Sequence, residues 1–182
     1  MRQAERSLAA ACATRVRSII SIFFEAQGNQ GDAFPAIDGV EASWRELGGL
    51  EDESALRLDA ARKVGDLRTR LRSSEIIGGL AVDHALGAAE SPMREWSESS
   101  PKFSLVFSES VSVALEFDRS IIDPPEGHNS WVAFELIEQA ALASQIFRES
   151  SALDQNAIFD VRMKAGSGSM SYRTAFKKWI RS

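Results

Sequence analysis

The segment spanning residues 130–150, SWVAFELIEQAALASQIFRES, most constrains how this chain can fold. Apolar residues recur along it at steps of three and four, which is the spacing of neighbours on one side of an α-helix. Asn129 or Ser130 can cap its first turn. The apolar stripe is wider than a coiled-coil seam, so we expect this helix to face a core, with Glu135 and Glu138 on its solvated side.

Strand-like sequence lies on both sides of this helix. Apolar and polar residues alternate over 103–107 and 111–117 before it, and over 159–163 and 170–174 after it. Such alternation is typical of half-buried strands, and the Gly-Ser-Gly at 166–168 is typical of a turn. The sequence therefore predicts an α+β fold: a helical N-terminal half, then a small antiparallel sheet (β-β-α-β-β) covered by one long helix.

The N-terminal half has the spacing of successive helices. Three- and four-residue apolar steps predict helices over 2–26, 40–47, 51–74 and 74–90. The polar, serine-rich stretch 91–102 then suits a connection. We therefore predict a helical region over 1–96 and an α+β region over 97–182, and the 182-residue length suits one compact domain.

Composition and cysteine usage restrict the class of protein. A hydrophobic content of 44% with four Trp and ten Phe excludes a wholly disordered chain. Cys12 is the single cysteine, so no internal disulfide can form, and we predict a cytoplasmic protein. The apolar run at 8–13 is too short for a signal peptide, and no uninterrupted run approaches the ~18 residues of a membrane span. We therefore predict no membrane association.

Charge is unevenly distributed along the chain. Residues 1–18 carry a formal charge of +3, residues 19–160 carry −14 and residues 161–182 carry +6, which gives the net −5. An acidic body repels nucleic acid and anionic membranes over most of its surface. The basic end can bind such anions locally, or bind an acidic surface of this chain or of a partner.

The end of the first predicted helix is apolar nearly all round. Such a segment must be covered by the rest of the domain or by another chain. We predict that it contacts another protein chain, either a different protein or a second copy of this one, through Ile19, Ile22, Phe23 and Phe24.

The basic C-terminal end interleaves aromatic and cationic side chains. Together these can stack on bases and neutralise phosphates, so nucleic-acid binding is an alternative function. The preferred interpretation is an amphipathic segment that packs its aromatics on the domain and keeps its cations in water. The residues of the alternative are Arg173, Lys177, Lys178, Trp179 and Arg181.

Two histidines are the candidates for a catalytic or metal site. His84 follows Asp83, but adjacent helical residues point in different directions and do not easily share one ion. His128 lies in a loop near several acids whose spacing requires no metal. The acid-to-lysine spacing in 160–164 departs from that of metal nucleases, and 166–169 lacks the ending of a phosphate-binding loop. We therefore predict no catalytic residue, metal or cofactor.

These observations favour a non-enzymatic protein-binding protein, either a subunit of a larger assembly or an inhibitor or chaperone of one partner. The alternatives are a nucleic-acid-associated accessory subunit that uses the basic end, and a metal-dependent hydrolase with its site near His84 or His128.

Overall fold

The computed structural model describes residues 2–49, 52–72, 76–94, 102–148 and 154–181. Within these ranges the regular structure is helical and contains no β-strand. A short 3-10 helix (Gln30–Ala33) joins the first two α-helices. The α-helices are α1 (Arg2–Ala26), α2 (Phe34–Leu47), α3 (Ser54–Arg72), α4 (Gly79–Met93), α5 (Lys102–Arg119), α6 (Trp131–Arg148) and α7 (Gln155–Trp179).

Helix α1 forms the centre of the bundle and packs against α2, α4, α5, α6 and α7. The alanines within residues 9–13 are buried, and their small side chains let neighbouring helices approach closely. Leu8, Ile19 and Phe23 fill the surrounding core. Among the described helices, α1 alone is long and apolar enough to span a membrane. The window that meets this criterion has a mean hydropathy of 1.4 and is 83% buried in the protein. Core helices of soluble proteins share that property.

The predicted α+β fold is wrong, and α5 shows why. Helix α5 covers most of the two segments expected to form the first hairpin. The buried residues of α5 include Val106, Ser110, Val113 and Phe117, which recur at steps of three and four. The alternating pattern instead predicts that Leu115 is buried, but Leu115 is 38% exposed. Alternate residues in a short apolar run also include pairs four apart, so the run satisfies both periods. An 18-residue stretch without glycine or proline favours the helix.

The second predicted hairpin is replaced by α7. Its buried residues include Ile158, Val161, Ala165 and Tyr172, again at steps of three or more and consistent with one helix side. The Gly-Ser-Gly at 166–168, predicted to be a turn, lies inside this helix. Tertiary contacts therefore outweighed the low helix propensity of glycine.

The helices predicted for the N-terminal half are confirmed, with shifted ends. The first prediction, 2–26, matches α1, and α2 begins six residues before the predicted start. The predicted connection at 91–102 lies partly outside the described residues. Helix α1 contacts helices from both predicted regions.

Candidate functional site

Helix α6 is oriented with its acidic side chains toward the protein interior. Glu135 is fully buried, and Glu138 retains only 26% side-chain exposure. Both carboxylates bind Arg15 of α1, which is also fully buried. The Arg15 Nη2 donates to Glu135 Oε2 at 2.9 Å, and Nη1 donates to Glu138 Oε2 at 2.7 Å. The predicted solvated side of this helix is therefore wrong.

Side chains of α6 itself and of α7 complete the environment of this ion pair. The Tyr172 hydroxyl donates to Glu135 Oε2 at 3.0 Å, and Gln139 Nε2 donates to Glu135 Oε1 at 3.0 Å. The Arg15 guanidinium also lies 5.2 Å from the centre of the Phe134 ring. The pair is thus supported by hydrogen bonds, which a buried pair needs to offset desolvation.

The electrostatics of this buried cluster follow from burial and pairing. Burial alone would lower the pKa of Arg15, but the attraction and hydrogen bond of Glu135, together with the attraction of Tyr172 and Glu138, raise that pKa. Burial and the same carboxylate raise the pKa of Tyr172 well above its usual value. Tyr172 therefore remains a neutral hydrogen-bond donor, and the cluster holds α1, α6 and α7 together.

The outer side of α6 is apolar as a consequence of this orientation. Leu136, Ile137 and Phe147 are 51%, 55% and 51% exposed, and Ala140 between them is also exposed. No acidic or basic residue of α6 lies on this side between Leu136 and Phe147, since both glutamates point inward. We define the outer α6 face as Ala133, Leu136, Ile137, Ala140, Ser144 and Phe147.

The turn that follows α5 exposes a further apolar residue. The N–H of Ile122 donates to Phe117 O and the N–H of Ile121 to Asp118 O, both at 3.1 Å, in the pattern of a Schellman cap. Ile121 therefore occupies the left-handed position, with a φ of 55°, and is 92% exposed. The same position after α1 and α2 is held by Gly28 and Gly49.

An isoleucine is unfavourable at this position for two physical reasons. A left-handed conformation costs a β-branched residue about 1–2 kcal/mol, and glycine avoids that cost. The exposed side chain of Ile121 gains little burial in return. Backbone strain that is kept without compensating burial motivates the hypothesis of a functional contact at this turn.

A cavity of about 490 Å³ lies between the same turn and α7. The Trp131 Nε1 donates to Ile122 O at 3.0 Å and to Asp123 O at 3.1 Å, which holds the turn over the start of α6. Asp118 accepts from the N–H groups of Trp131 and Val132, which fixes the first turn of α6. The lining includes Ile122, Pro124, Pro125, Trp131, Met170 and Lys178.

A second charged cluster joins α3, α4 and α5 around Arg68. The Arg68 Nε donates to Asp83 Oδ1 at 2.9 Å and its Nη2 to Glu109 Oε1 at 2.8 Å. His84 Nδ1 lies 2.6 Å from Glu109 Oε2. Burial would raise the pKa of both carboxyl groups, but the hydrogen bonds and charges of their neighbours together lower it. The neighbours are Arg68 and Arg72 for Asp83, and His84 and Arg68 for Glu109.

This cluster links α3, α4 and α5 through charge-assisted hydrogen bonds, and His84 takes part through its contact with Glu109. Asp83 binds Arg68 and Arg72 rather than acting with the adjacent His84. His128 packs edge-on against Phe134, with ring centres 5.1 Å apart. Within the described ranges, no three His, Cys, Asp or Glu side chains are grouped so that they could hold a metal.

The predicted partner-binding residues lie in the core. Ile19, Ile22, Phe23 and Phe24 are 0%, 5%, 2% and 5% exposed. Other helices of the same chain cover these side chains. The sequence leaves open whether the rest of the domain or another chain covers them. The apolar end of α1 is therefore covered within the chain, and contact with a partner through these residues stays a prediction.

The predicted nucleic-acid-binding residues are placed on the last turns of α7 and just beyond. Arg173, Lys178 and Arg181 are exposed, and Lys177 is half-buried. Trp179 packs edge-on against Phe117, with ring centres 5.4 Å apart, and against Phe176. Its ring surface is thus partly used within the fold, as the amphipathic interpretation expects.

Sequence reasoning missed the outer α6 face because it assigned the polar side of the helix to solvent. The available signal was Arg15, a cation that falls on the same side of α1 as the apolar Cys12 and Ile19 and so needs a buried acidic partner. Comparisons with protein-family models, with curated proteins and with solved structures find no match to this chain.

Proposed function

We propose that this chain is a non-enzymatic protein-binding protein that docks a partner through the outer α6 face. The observation that carries the proposal is the inverted orientation of α6, which buries its two glutamates and exposes Leu136, Ile137 and Phe147. Contiguous exposed apolar surface of this kind marks interaction sites in folded proteins. The buried single Cys12 supports a reducing, cytoplasmic setting.

The energetics support docking rather than solvation of this face. Each of the three large side chains leaves about half its surface in water. Covering the exposed half of such a side chain contributes roughly 1 kcal/mol, so the three together contribute roughly 3 kcal/mol before the costs of association. The remainder of a stable interface must come from neighbouring surface, and the exposed Ile121 at the turn before α6 is one candidate.

Site-specific photo-crosslinking in a lysate of the native cell tests this proposal. A photoreactive amino acid in place of Ala140 should give one discrete protein adduct. Purified wild-type protein should compete for that adduct, and the double variant Leu136→Glu, Ile137→Glu should not. Equal competition by both proteins, or no adduct, would refute docking through this face.

A matched control comes from α3, which packs against α2 and α4. Leu56 and Leu58 there are 44% and 38% exposed, so the double variant Leu56→Glu, Leu58→Glu introduces the same charge at similarly exposed positions. This variant should compete as well as wild type. Because all the substituted side chains are exposed, thermal unfolding of each variant should remain close to wild type and show that the fold is intact.

Nucleic-acid association through the basic end has weaker support. Arg173 and Arg181 are exposed, but Trp179 packs against aromatic residues of the core. Binding through these cations would weaken steeply with salt. A fluorescence titration with single-stranded RNA that shows no salt-dependent binding, or binding unchanged in the alanine variants of Arg173, Lys177, Lys178 and Arg181, would remove this alternative.

A further inference from the structure

We propose that the partner on the outer α6 face is a second copy of this chain, with the two α6 helices paired antiparallel about a twofold axis near Ala140 and Ser144. This inference rests on the proposed function and names the partner at the same site. Twofold dimers are the commonest protein oligomers, and they require a surface that is complementary to itself.

The sizes of the side chains along this face meet that requirement. Leu136 and Ile137 lie toward the start of α6, Phe147 lies toward its end, and the small Ala140 and Ser144 lie between them. An antiparallel partner reverses this order. Leu136 and Ile137 of each copy then cover Phe147 of the other, and the small residues let the helices approach at the crossing.

The charges on α6 favour the antiparallel arrangement over a parallel one. Arg148 is exposed at the end of the helix, and no acidic side chain of the outer face opposes it. A parallel pair would place the two copies of Arg148 side by side, whereas antiparallel pairing separates them to opposite ends. Antiparallel pairing also places the opposite ends of the two helix dipoles together.

The area of the face sets the expected strength of the dimer. From Leu136 to Phe147 the face is about 17 Å long at 1.5 Å per residue. One such helix stripe supplies roughly half of the ~800 Å² per partner found in stable complexes. An interface of this size supports only a weak dimer once the costs of association are included, so we expect a dissociation constant on the order of 0.1–1 mM.

Sedimentation equilibrium of the full chain over a concentration series spanning that range provides the first test. Wild-type protein should fit a monomer–dimer equilibrium. Leu136→Glu should weaken the dimer by about 100-fold, or tenfold for each of its two copies in the symmetric interface. Leu56→Glu, the matched control on α3, should leave the dissociation constant unchanged.

A charge-exchange experiment tests the pairing itself. Leu136→Glu and Phe147→Lys should each abolish the dimer when studied alone, because each introduces two uncompensated charges. An equal mixture of the two variants should form a heterodimer within about tenfold of wild-type affinity, since one introduced carboxylate then faces one introduced ammonium and the second contact remains native. A mixture that remains monomeric would overturn the antiparallel pairing.

The outcomes separate this inference from the proposed function. A wild-type protein that stays monomeric throughout the series overturns self-pairing. If crosslinking at Ala140 still depends on Leu136 and Ile137 in that case, the docking face stands with a different partner. If both experiments fail, the proposed function fails with the inference.

Discussion

Replacing Ile121 with glycine is expected to stabilise the protein. Ile121 holds the left-handed position of the cap after α5, with a φ of 55°. Relief of that strain favours the variant by about 1–2 kcal/mol, whereas the greater backbone freedom of glycine in the unfolded chain opposes it by about 0.5–1 kcal/mol. Little apolar burial is lost, because the side chain is 92% exposed. The net gain is about 0.5–1 kcal/mol.

Urea denaturation and calorimetry measure this change. In a chain of this length a gain of that size raises the Tm by about 1–4 °C. The cap after α1 provides the matched control, because Gly28 has a φ of 73° and no atom lies close to an added Cβ. Gly28→Ala should therefore destabilise by about 1 kcal/mol through backbone strain alone.

A lower free energy of unfolding for Ile121→Gly, or a higher one for Gly28→Ala, would refute this expectation. Either result would mean that left-handed strain does not determine stability at these caps. If Ile121 belongs to the docking surface, its glycine variant should combine higher stability with weaker competition in the crosslinking experiment. A stabilising substitution that impairs binding is the pattern expected of a residue retained for contact.

Three further predictions concern the interior. Gly168→Ala should destabilise the protein by about 3 kcal/mol, because the added Cβ would lie 2.1 Å from the buried Arg15 Nη1. The control Gly166→Ala has open space around its Cβ and should be neutral or stabilising. Urea denaturation measures both changes. The folded state lowers the pKa of Asp83, so this carboxylate stabilises the protein above its unfolded pKa of ~3.9 and loses that contribution on acidification. Asp83→Asn should therefore reduce the loss of stability between pH 7 and pH 3. An unchanged slope of unfolding free energy against pH would contradict this. Burial raises the pKa of Cys12, so this thiol should not react with Ellman's reagent until the protein unfolds, and rapid reaction of the native protein would contradict its placement.

The helices of the N-terminal half could be predicted from sequence because their apolar spacing fits only one period. In α3, Ala60, Val64, Leu67 and Leu71 recur at steps of three and four and are all buried. The polar residues between them leave no alternating pattern that could suggest a strand. Local sequence and tertiary packing therefore agree in this region.

The C-terminal half could not be predicted in the same way, because contacts distant in sequence decide its structure. Gly168 reads locally as part of a turn, yet it lies within α7 where Arg15, more than 150 positions earlier, needs the space of a missing side chain. Glu135 likewise reads as solvated until Arg15 is placed beside it. The candidate site was missed for the same reason, since burying Glu135 is what turns the apolar side of α6 outward.

The ion pair between Arg15 and the α6 carboxylates also determines how that helix can respond to an incoming molecule. Moving α6 away would leave the buried Arg15 guanidinium without its carboxylate partners, which costs several kcal/mol. The helix therefore cannot act as a hinged flap that opens for its target. A target should therefore bind to a preformed surface, at an association rate that no conformational change limits. The heat-capacity change on binding should be no larger than the contact area alone accounts for.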